Sequence, residues 1–275
     1  LLFPAILRRN VMRTGQFRQR SEVQISPMTN AQLFGTYAAA YKEGRPGYPA
    51  ALFDWIASEA PGRAAVWDAG TGSGQAARAL AERFDHVHAT DVDADQIAAA
   101  EAHERITFTV APAEASGLPD ASADAVTVAT ALHWFDFHRF WPEVRRVCRP
   151  GGIFCGFTYG LTVSDKEVHK HLLDPVLERI DRFWSDGNRL SLRCYPRKEI
   201  GFPFEELTPP PLKYDLSWTP TRLLGFMRTW SAHAKARAEG LADDLLRIEE
   251  AALRTLGEGE RTVTLPMTII AGRVA

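Results

Sequence analysis

The chain has 275 residues, of which 45% are hydrophobic and 24% are charged, so it can bury one sizeable core as a single enzyme-sized domain. A formal net charge of −2 provides no positive field for a phosphate backbone or an anionic bilayer, which disfavours nucleic-acid and membrane partners. Three cysteines without CxxC spacing disfavour a disulfide framework or a zinc site, and every apolar run is too short to cross a bilayer. We therefore expect a cytoplasmic protein without a metal site.

The first residues differ in composition from the rest of the chain. Five arginines precede the first acidic residue, Glu22. An arginine-rich, acid-poor start is typical of a transit peptide, but it also fits an upstream extension or a misplaced start, with Met28 opening the natural protein. We expect residues 1–33 to be an N-terminal extension, disordered or not native, and residues 34–275 to form one domain.

From Phe34 onward, helical and strand patterns alternate, which predicts a parallel sheet with helices on both faces. Helices are predicted at 52–57, 75–83, 94–103 and 140–147, and strands at 64–69, 87–90, 106–110, 125–131 and 153–158. After Tyr159 the regular alternation of strands and helices ends. Amphipathic helices are predicted at 165–184 and 241–256, and strands at 212–218 and 262–271. The fold class predicted is α/β, a doubly wound, mostly parallel, seven-stranded Rossmann-like sheet with helical cap insertions.

A glycine-rich segment, VWDAGTGSG at 66–74, directly follows the first predicted strand. Gly70, Gly72 and Gly74 let the backbone turn sharply and approach a ligand at the start of the next helix. A dinucleotide fingerprint, GxGxxG, would require a third glycine at the position of Gln75. The spacing therefore counts against a nicotinamide-dependent oxidoreductase.

An acidic residue, Asp91, closes the second predicted strand and is followed by Val92. A carboxylate at that place can accept hydrogen bonds from both hydroxyls of a ribose. Asp93 and Asp95 are interpreted as a cap and an exposed charge in the first turn of the helix predicted at 94–103, where aspartate is favoured.

Three further segments complete the pattern. They are RPGYP at 45–49, APAEASGLPD at 111–120 and HWFD at 133–136, the last followed by a helix and RPGG at 149–152. Together with the glycine loop, they resemble class I S-adenosylmethionine (SAM)-dependent methyltransferases of the type 11 group, similar to trans-aconitate methyltransferase-like proteins. The resemblance spans 34–159 and weakens afterwards.

The resemblance implies SAM as cofactor, S-adenosylhomocysteine as its product, and a small molecule as methyl acceptor. It implies that Ala113 and Glu114 flank the adenine, although Pro112 replaces a polar residue of many relatives. His133 is then either a catalytic residue or a packing residue, and Tyr41 and Arg45 either bind the cofactor or only form a packed lid. The implied cofactor-binding set is Tyr41, Arg45, Asp68, Gly70, Thr71, Gly72, Gly74, Asp91, Val92, Ala113, Glu114 and Trp134.

The remaining alternatives concern the acceptor and the activity itself. A carboxylate acceptor needs no general base, whereas a hydroxyl or amine would use His133, whose reference pKa lies near neutrality. Residues 34–159 are expected to bind SAM, and residues 160–275 to complete the sheet and cap the acceptor with Tyr159, Arg193, Trp230 and His233. A SAM-binding regulator or inactive partner subunit remains the non-enzymatic alternative.

Overall fold

The computed structural model describes residues 45–275, and its centre is a seven-stranded sheet in the order β3-β2-β1-β4-β5-β9-β6. The first five strands are parallel, while β9 runs antiparallel to both of its neighbours. The N-terminal extension predicted at 1–33 and the predicted cofactor residue Tyr41 lie outside the described residues. The strands are β1 (Val66–Ala69), β2 (Val87–Asp91), β3 (Ile106–Val110), β4 (Ala123–Ala129), β5 (Cys148–Tyr159), β6 (Glu205–Glu206) and β9 (Met267–Arg273).

Helices cover both faces of this sheet, and each face has its own hydrophobic core. Leu52, Phe53 and Leu80 pack on one face, while Phe140 and Trp141 pack on the other. β1 and β4 are almost completely buried, as expected for central parallel strands. The helices of the two layers are α1 (Ala50–Glu59), α2 (Gln75–Ala81), α3 (Ala94–Ala98) and α4 (Phe137–Val147).

The late strands differ from the sequence prediction. Segment 212–218 does not join the main sheet, because β7 (Asp215–Trp218) pairs with β8 (Arg261–Thr264) in a separate two-stranded sheet. The predicted strand at 262–271 divides into β8 and β9, since Leu265 and Pro266 interrupt it. The edge of the sheet beside β9 is instead β6, which has only two residues and carries no alternating apolar pattern.

The chain between β5 and β9 builds a helical cap with a third hydrophobic core of its own. The predicted helix at 165–184 is interrupted by a π-helical turn at His169–Leu173. None of the helices between residues 45 and 275 has the length and apolar composition needed to span a bilayer. The cap helices are α5 (Lys166–Val168), α6 (Asp174–Ile180), α7 (Asp186–Leu192), α8 (Pro220–Arg228), α9 (Ser231–Ala236) and α10 (Ala242–Leu256).

Asp124, at the start of β4, ties three parts of the sheet together. One carboxylate oxygen accepts a hydrogen bond from the Ala65 backbone N–H at 3.0 Å, and the other pairs with the Arg149 guanidinium at 2.6 Å. The side chain is only 5% exposed, so both partners compensate for the loss of water. Asp124 therefore fixes the amino ends of β1 and β5 against β4.

We expect Asp124→Ala to lower the free energy of unfolding by about 2 kcal/mol or more, because a buried backbone N–H loses its acceptor. Urea denaturation measures this change. The matched control is Asp120→Ala, which removes a carboxylate 81% exposed to solvent and paired with Arg146. It should cost less than about 1 kcal/mol. Equal losses in both variants would contradict the role of Asp124.

Candidate active site

The glycine loop between β1 and α2 adopts left-handed backbone angles at each of its three predicted glycines, with φ of +68° at Gly70, +56° at Gly72 and +88° at Gly74. A Cβ at Gly70 would lie 2.7 Å from that of Ala131, and one at Gly74 would lie 2.8 Å from the Phe108 ring. A Cβ at Gly72 would meet only the Gln96 side chain, at 3.7 Å. Gly70 and Gly74 therefore serve packing as well as conformation, whereas Gly72 borders open space.

Asp68 supports this loop from below. Its buried carboxylate accepts hydrogen bonds from the hydroxyls of Thr71, at 2.6 Å, and Thr127, at 2.8 Å. Burial raises the pKa of Asp68 to about 6, the hydroxyl hydrogen bonds oppose this rise, and the nearby Asp91 charge adds to it. The side chain is 0% exposed, so Asp68 positions the loop and does not line a cavity.

Asp91 lies at the carboxyl end of β2, opposite the loop. Its two oxygens accept hydrogen bonds from the backbone N–H groups of Gly72, at 2.8 Å, and Asp93, at 2.9 Å. Burial raises the pKa of Asp91, the N–H donors oppose this, and the neighbouring Asp93 adds to the rise. Because each carboxylate oxygen has a second lone pair, Asp91 can still accept ligand hydroxyls.

The first cavity has a volume of about 340 Å³ and opens at the carboxyl ends of β1, β2 and β4. Its charged groups are three carboxylates and the Arg45 guanidinium. Within the described chain, buried side-chain oxygens of Asp93 and Gln96 have no hydrogen-bond partner. Such a cavity suits a ligand with several donors and positive charge. Most of the predicted cofactor set lines this cavity, namely Arg45, Gly70, Thr71, Gly72, Asp91, Val92, Ala113, Glu114 and Trp134. Asp68, below the loop, and Gly74, at its end, do not line the cavity.

A second cavity adjoins the first, and the two share Arg45, Thr130 and Trp134 as walls. The second cavity has a volume of about 80 Å³ and lies between the sheet edge and the cap. Two of the predicted acceptor residues, Tyr159 and Trp230, line it. Its other walls are His133, Thr158, Gly160, Leu161, Trp184, Asn188, Ser191, Leu192, Phe226 and Ser231.

The other two predicted acceptor residues do not reach this cavity. Arg193 is about half exposed and forms two hydrogen bonds to the carboxylate of Glu199, at 2.6 and 2.7 Å. His233 is 0% exposed inside the cap, where its Nε2 lies 2.8 Å from Glu249. Both side chains form ion pairs or hydrogen bonds with glutamates of the same chain, and the spacing of residues in the sequence does not reveal such pairs.

His133 belongs to a short 3-10 turn, Leu132–Trp134, at the carboxyl end of β4. Its Nδ1 lies 2.7 Å from the Tyr195 hydroxyl, and its Nε2 lies 3.4 Å from Nδ2 of Asn188. Burial lowers the pKa of His133 to about 3, and the positive charge of Arg45 contributes to the decrease. The imidazole is therefore neutral at physiological pH. Its pKa lies well below the near-neutral reference value on which the sequence prediction relied.

Four residues around His133 were missed by sequence reasoning. Thr130 and Tyr195 have φ of +55° and +48°, a rare conformation for residues with a Cβ, and such strain often accompanies function. Asn188 contacts His133, and a Cβ at Gly187 would lie 2.7 Å from the His133 carbonyl oxygen. The one signal available was the Asp-Gly-Asn sequence at 186–188, which resembles an ordinary turn.

Known proteins resemble the chain over most of the described region. The family model described as "Methyltransferase domain" matches residues 67–156. A Dictyostelium discoideum protein named as a methyltransferase is 30% identical over 228 residues, covering 80% of this chain and 85% of that protein. An uncharacterized methyltransferase of Mycobacterium tuberculosis is 43% identical over 122 residues, covering 43% of this chain and 49% of the relative. A solved structure named as a type II methyltransferase, from Anaeromyxobacter dehalogenans, has 44% identity and a TM-score of 0.74, covering 84% of this chain and 98% of that one.

The raised pKa of Asp68 predicts a pH-dependent stability. The folded state holds the proton more tightly than the unfolded chain, so this carboxyl stabilises the fold below about pH 4 and loses that contribution as the pH rises through 6. The loss amounts to about 3 kcal/mol. Asp68→Asn does not titrate, so its free energy of unfolding relative to the wild type should rise by most of that amount between pH 4 and pH 7. Urea titrations at both pH values measure it, and parallel curves would refute the raised pKa.

Proposed function

The chain belongs to the SAM-dependent methyltransferases, and we propose that its first cavity binds SAM while the second cavity receives a small-molecule acceptor. The observation that carries this proposal is the shared wall between the two cavities, formed by Arg45, Thr130 and Trp134. Methyl transfer needs the acceptor atom in line with the donor and shielded from water. Two adjoining cavities at the carboxyl ends of β1 and β4, beside the topological switch point, meet that need.

The charges of the first cavity favour SAM over a dinucleotide. When bound, SAM supplies an electrophilic methyl group on a positively charged sulfonium. Asp91, Asp93 and Glu114 favour such a cation and would repel a pyrophosphate. The unpartnered oxygens of Asp93 and Gln96 can accept from an ammonium, an amine or ribose hydroxyls, all of which SAM carries.

Individual roles follow from these positions. We assign the ribose hydroxyls to Asp91, the adenine to the walls around Val92, Ala113 and Glu114, and the methionine carboxylate to Arg45. Val92 is 67% exposed at the cavity, an apolar surface suited to an adenine ring. Asp68 acts through the loop, by holding Thr71.

The acceptor atom is proposed to be an oxygen of a small molecule. A carboxylate acceptor corresponds to the finer resemblance to trans-aconitate methyltransferases in the HWFD and RPGYP segments. A hydroxyl acceptor corresponds to the position of His133 at the cavity wall. In both cases residues 34–159 bind SAM, and the cap within 160–275 contributes the acceptor side, which is where enzymes of this architecture vary specificity.

Asp91→Ala should weaken SAM binding at least tenfold, roughly 1.5 to 3 kcal/mol, because ligand hydroxyls lose their acceptor. Isothermal titration calorimetry with SAM measures it. Asp95→Ala is the matched control, since Asp95 is exposed in the first turn of α3 and does not line the cavity. Its affinity should stay at the wild-type value. An unchanged SAM affinity in a folded Asp91→Ala protein would overturn the ribose assignment.

Trp230→Ala should raise the acceptor KM or abolish turnover while the SAM dissociation constant stays within about threefold, under about 0.7 kcal/mol. The reason is that Trp230 lines only the second cavity. Arg193→Ala serves as the control, because its guanidinium is paired with Glu199 away from both cavities. Release of S-adenosylhomocysteine and calorimetry give the two readouts. Weakened SAM binding with unaltered acceptor kinetics would assign Trp230 to the cofactor instead. SAM binding without turnover of any acceptor would favour a regulatory protein.

A further inference from the structure

We propose that Thr130 determines specificity for the methylated form of the cofactor: its hydroxyl contacts the sulfonium methyl group of SAM and so raises the affinity for SAM relative to S-adenosylhomocysteine. This inference rests on the proposed function and deepens it, because it names the side chain that distinguishes the two forms of the cofactor. It is carried by the place of Thr130 between the cavities, by its backbone conformation and by its hydrogen bonds.

Thr130 lies where the two cavities meet. If the first cavity holds SAM and the second holds the acceptor, the methyl group has to face the opening between them, because it must lie in line with the acceptor atom. Three described residues line both cavities, namely Arg45, Thr130 and Trp134. Of these three, Thr130 is the one whose side chain contains an oxygen. Its hydroxyl is therefore the side-chain acceptor that this shared wall offers to the methyl group.

The backbone of Thr130 is strained. Its φ of +55° lies in the left-handed region, which a β-branched residue rarely adopts. The backbone N–H donates to the Phe157 carbonyl oxygen at 2.8 Å, so the end of β5 holds the residue in this conformation. A glycine would make the same turn without strain. The turn alone therefore does not account for a threonine here, and strain that is held at a ligand cavity points to a function of the side chain.

A hydrogen bond fixes the orientation of the Thr130 side chain. Its Oγ1 lies 2.8 Å from the Tyr48 hydroxyl. The Tyr48 ring stacks on Tyr159, with centroids 5.7 Å apart, and meets the Phe157 ring edge-on at 4.8 Å. Tyr48 lines the first cavity and Tyr159 lines the second. The two hydroxyls are thus held at the boundary by rings of β5, and Tyr48 is a positioning residue because it acts through Thr130.

The chemistry of the sulfonium explains why a hydroxyl at this wall favours SAM. The positive sulfur withdraws electrons from its methyl group, so the methyl C–H groups form weak hydrogen bonds to oxygen. A hydroxyl oxygen has two lone pairs, so Oγ1 of Thr130 can accept from the methyl group while it is hydrogen-bonded to Tyr48. S-adenosylhomocysteine has neither the methyl group nor the positive charge. The contact therefore contributes to the binding of the methyl donor and is lost with the demethylated product.

Calorimetry with SAM and with S-adenosylhomocysteine tests this contact without any acceptor. Thr130→Val keeps the branched shape and removes the oxygen, so the Kd for SAM should rise at least about threefold while the Kd for S-adenosylhomocysteine stays within about twofold. Thr130→Ser keeps the hydroxyl and should retain the wild-type ratio of the two Kd values. Thr109→Val is the matched control with an unchanged ratio, because Thr109 is exposed on β3 and lines neither cavity.

Two results of this experiment have different meanings. An unchanged ratio in Thr130→Val, or an equal loss of affinity for both ligands, would overturn the inference, because Thr130 would then only shape the cavity. A wild-type protein that binds neither ligand would instead refute the proposed function itself.

Thr130→Gly and Thr130→Ala separate the backbone strain from the role of the hydroxyl. Both variants lack the oxygen, so both should show the altered Kd ratio of Thr130→Val. Glycine relieves the left-handed strain that alanine retains, so the Tm of Thr130→Gly should lie at least about 2 °C above that of Thr130→Ala, by scanning calorimetry without ligand. A glycine variant no more stable than the alanine variant would contradict the strained placement of Thr130. A wild-type ratio in both variants would contradict the role of its hydroxyl.

Tyr48→Phe tests whether Tyr48 acts through Thr130. This variant keeps the stacked ring and removes the hydroxyl that fixes Thr130, so its Kd ratio should lie between those of the wild type and Thr130→Val. Adding Tyr48→Phe to Thr130→Val should change the ratio no further, because the two hydroxyls act as one unit. Additive effects in the double variant, measured by the same calorimetry, would show that Tyr48 acts independently and would overturn its positioning role.

Discussion

Two carboxylates, Asp68 and Asp91, anchor the glycine loop through hydrogen bonds to two neighbouring residues of that loop. Asp68 binds Thr71 from beneath the loop, and Asp91 binds the backbone N–H of Gly72 from the neighbouring strand. Three glycines with positive φ lose much conformational freedom on folding, and these hydrogen bonds compensate part of that loss. The first cavity exists because the loop is fixed at the carboxyl edge of the sheet, where β1, β2 and β4 end.

The second cavity depends on a different constraint, the close approach of the cap to the turn after β4. Gly187 lets α7 lie against the His133 carbonyl, where a Cβ would be 2.7 Å away. The same helix brings Asn188 to the imidazole, and the left-handed backbone at Tyr195 turns its hydroxyl inward after the helix ends. A loosely packed cap would leave His133 in contact with water.

The two cavities differ in charge. Three carboxylates supply most of the charge of the first cavity, while aromatic and neutral polar side chains form most of the second. Arg45 lies between them and affects both, since its charge also lowers the pKa of His133. The negative charge of the structure's cofactor-side cavity is therefore concentrated beside β2 and β3, and the cavity under the cap has Arg45 as the one charged residue of its described lining.

The sequence by itself determined the sheet strands β1 to β5, the loop with its three glycines and the position of Asp91. These features depend on local periodicity, on backbone freedom and on the rule that parallel strands share one carboxyl edge. The relation to methyltransferases followed from the same local motifs. Only the tertiary structure decided that Glu205–Glu206 forms the sheet edge beside β9, and that Arg193 and His233 form pairs with Glu199 and Glu249. The same holds for Asn188 and Tyr195, which meet His133 from 55 and 62 residues away in the chain. Such contacts arise from packing between distant segments, which no local pattern in the sequence encodes.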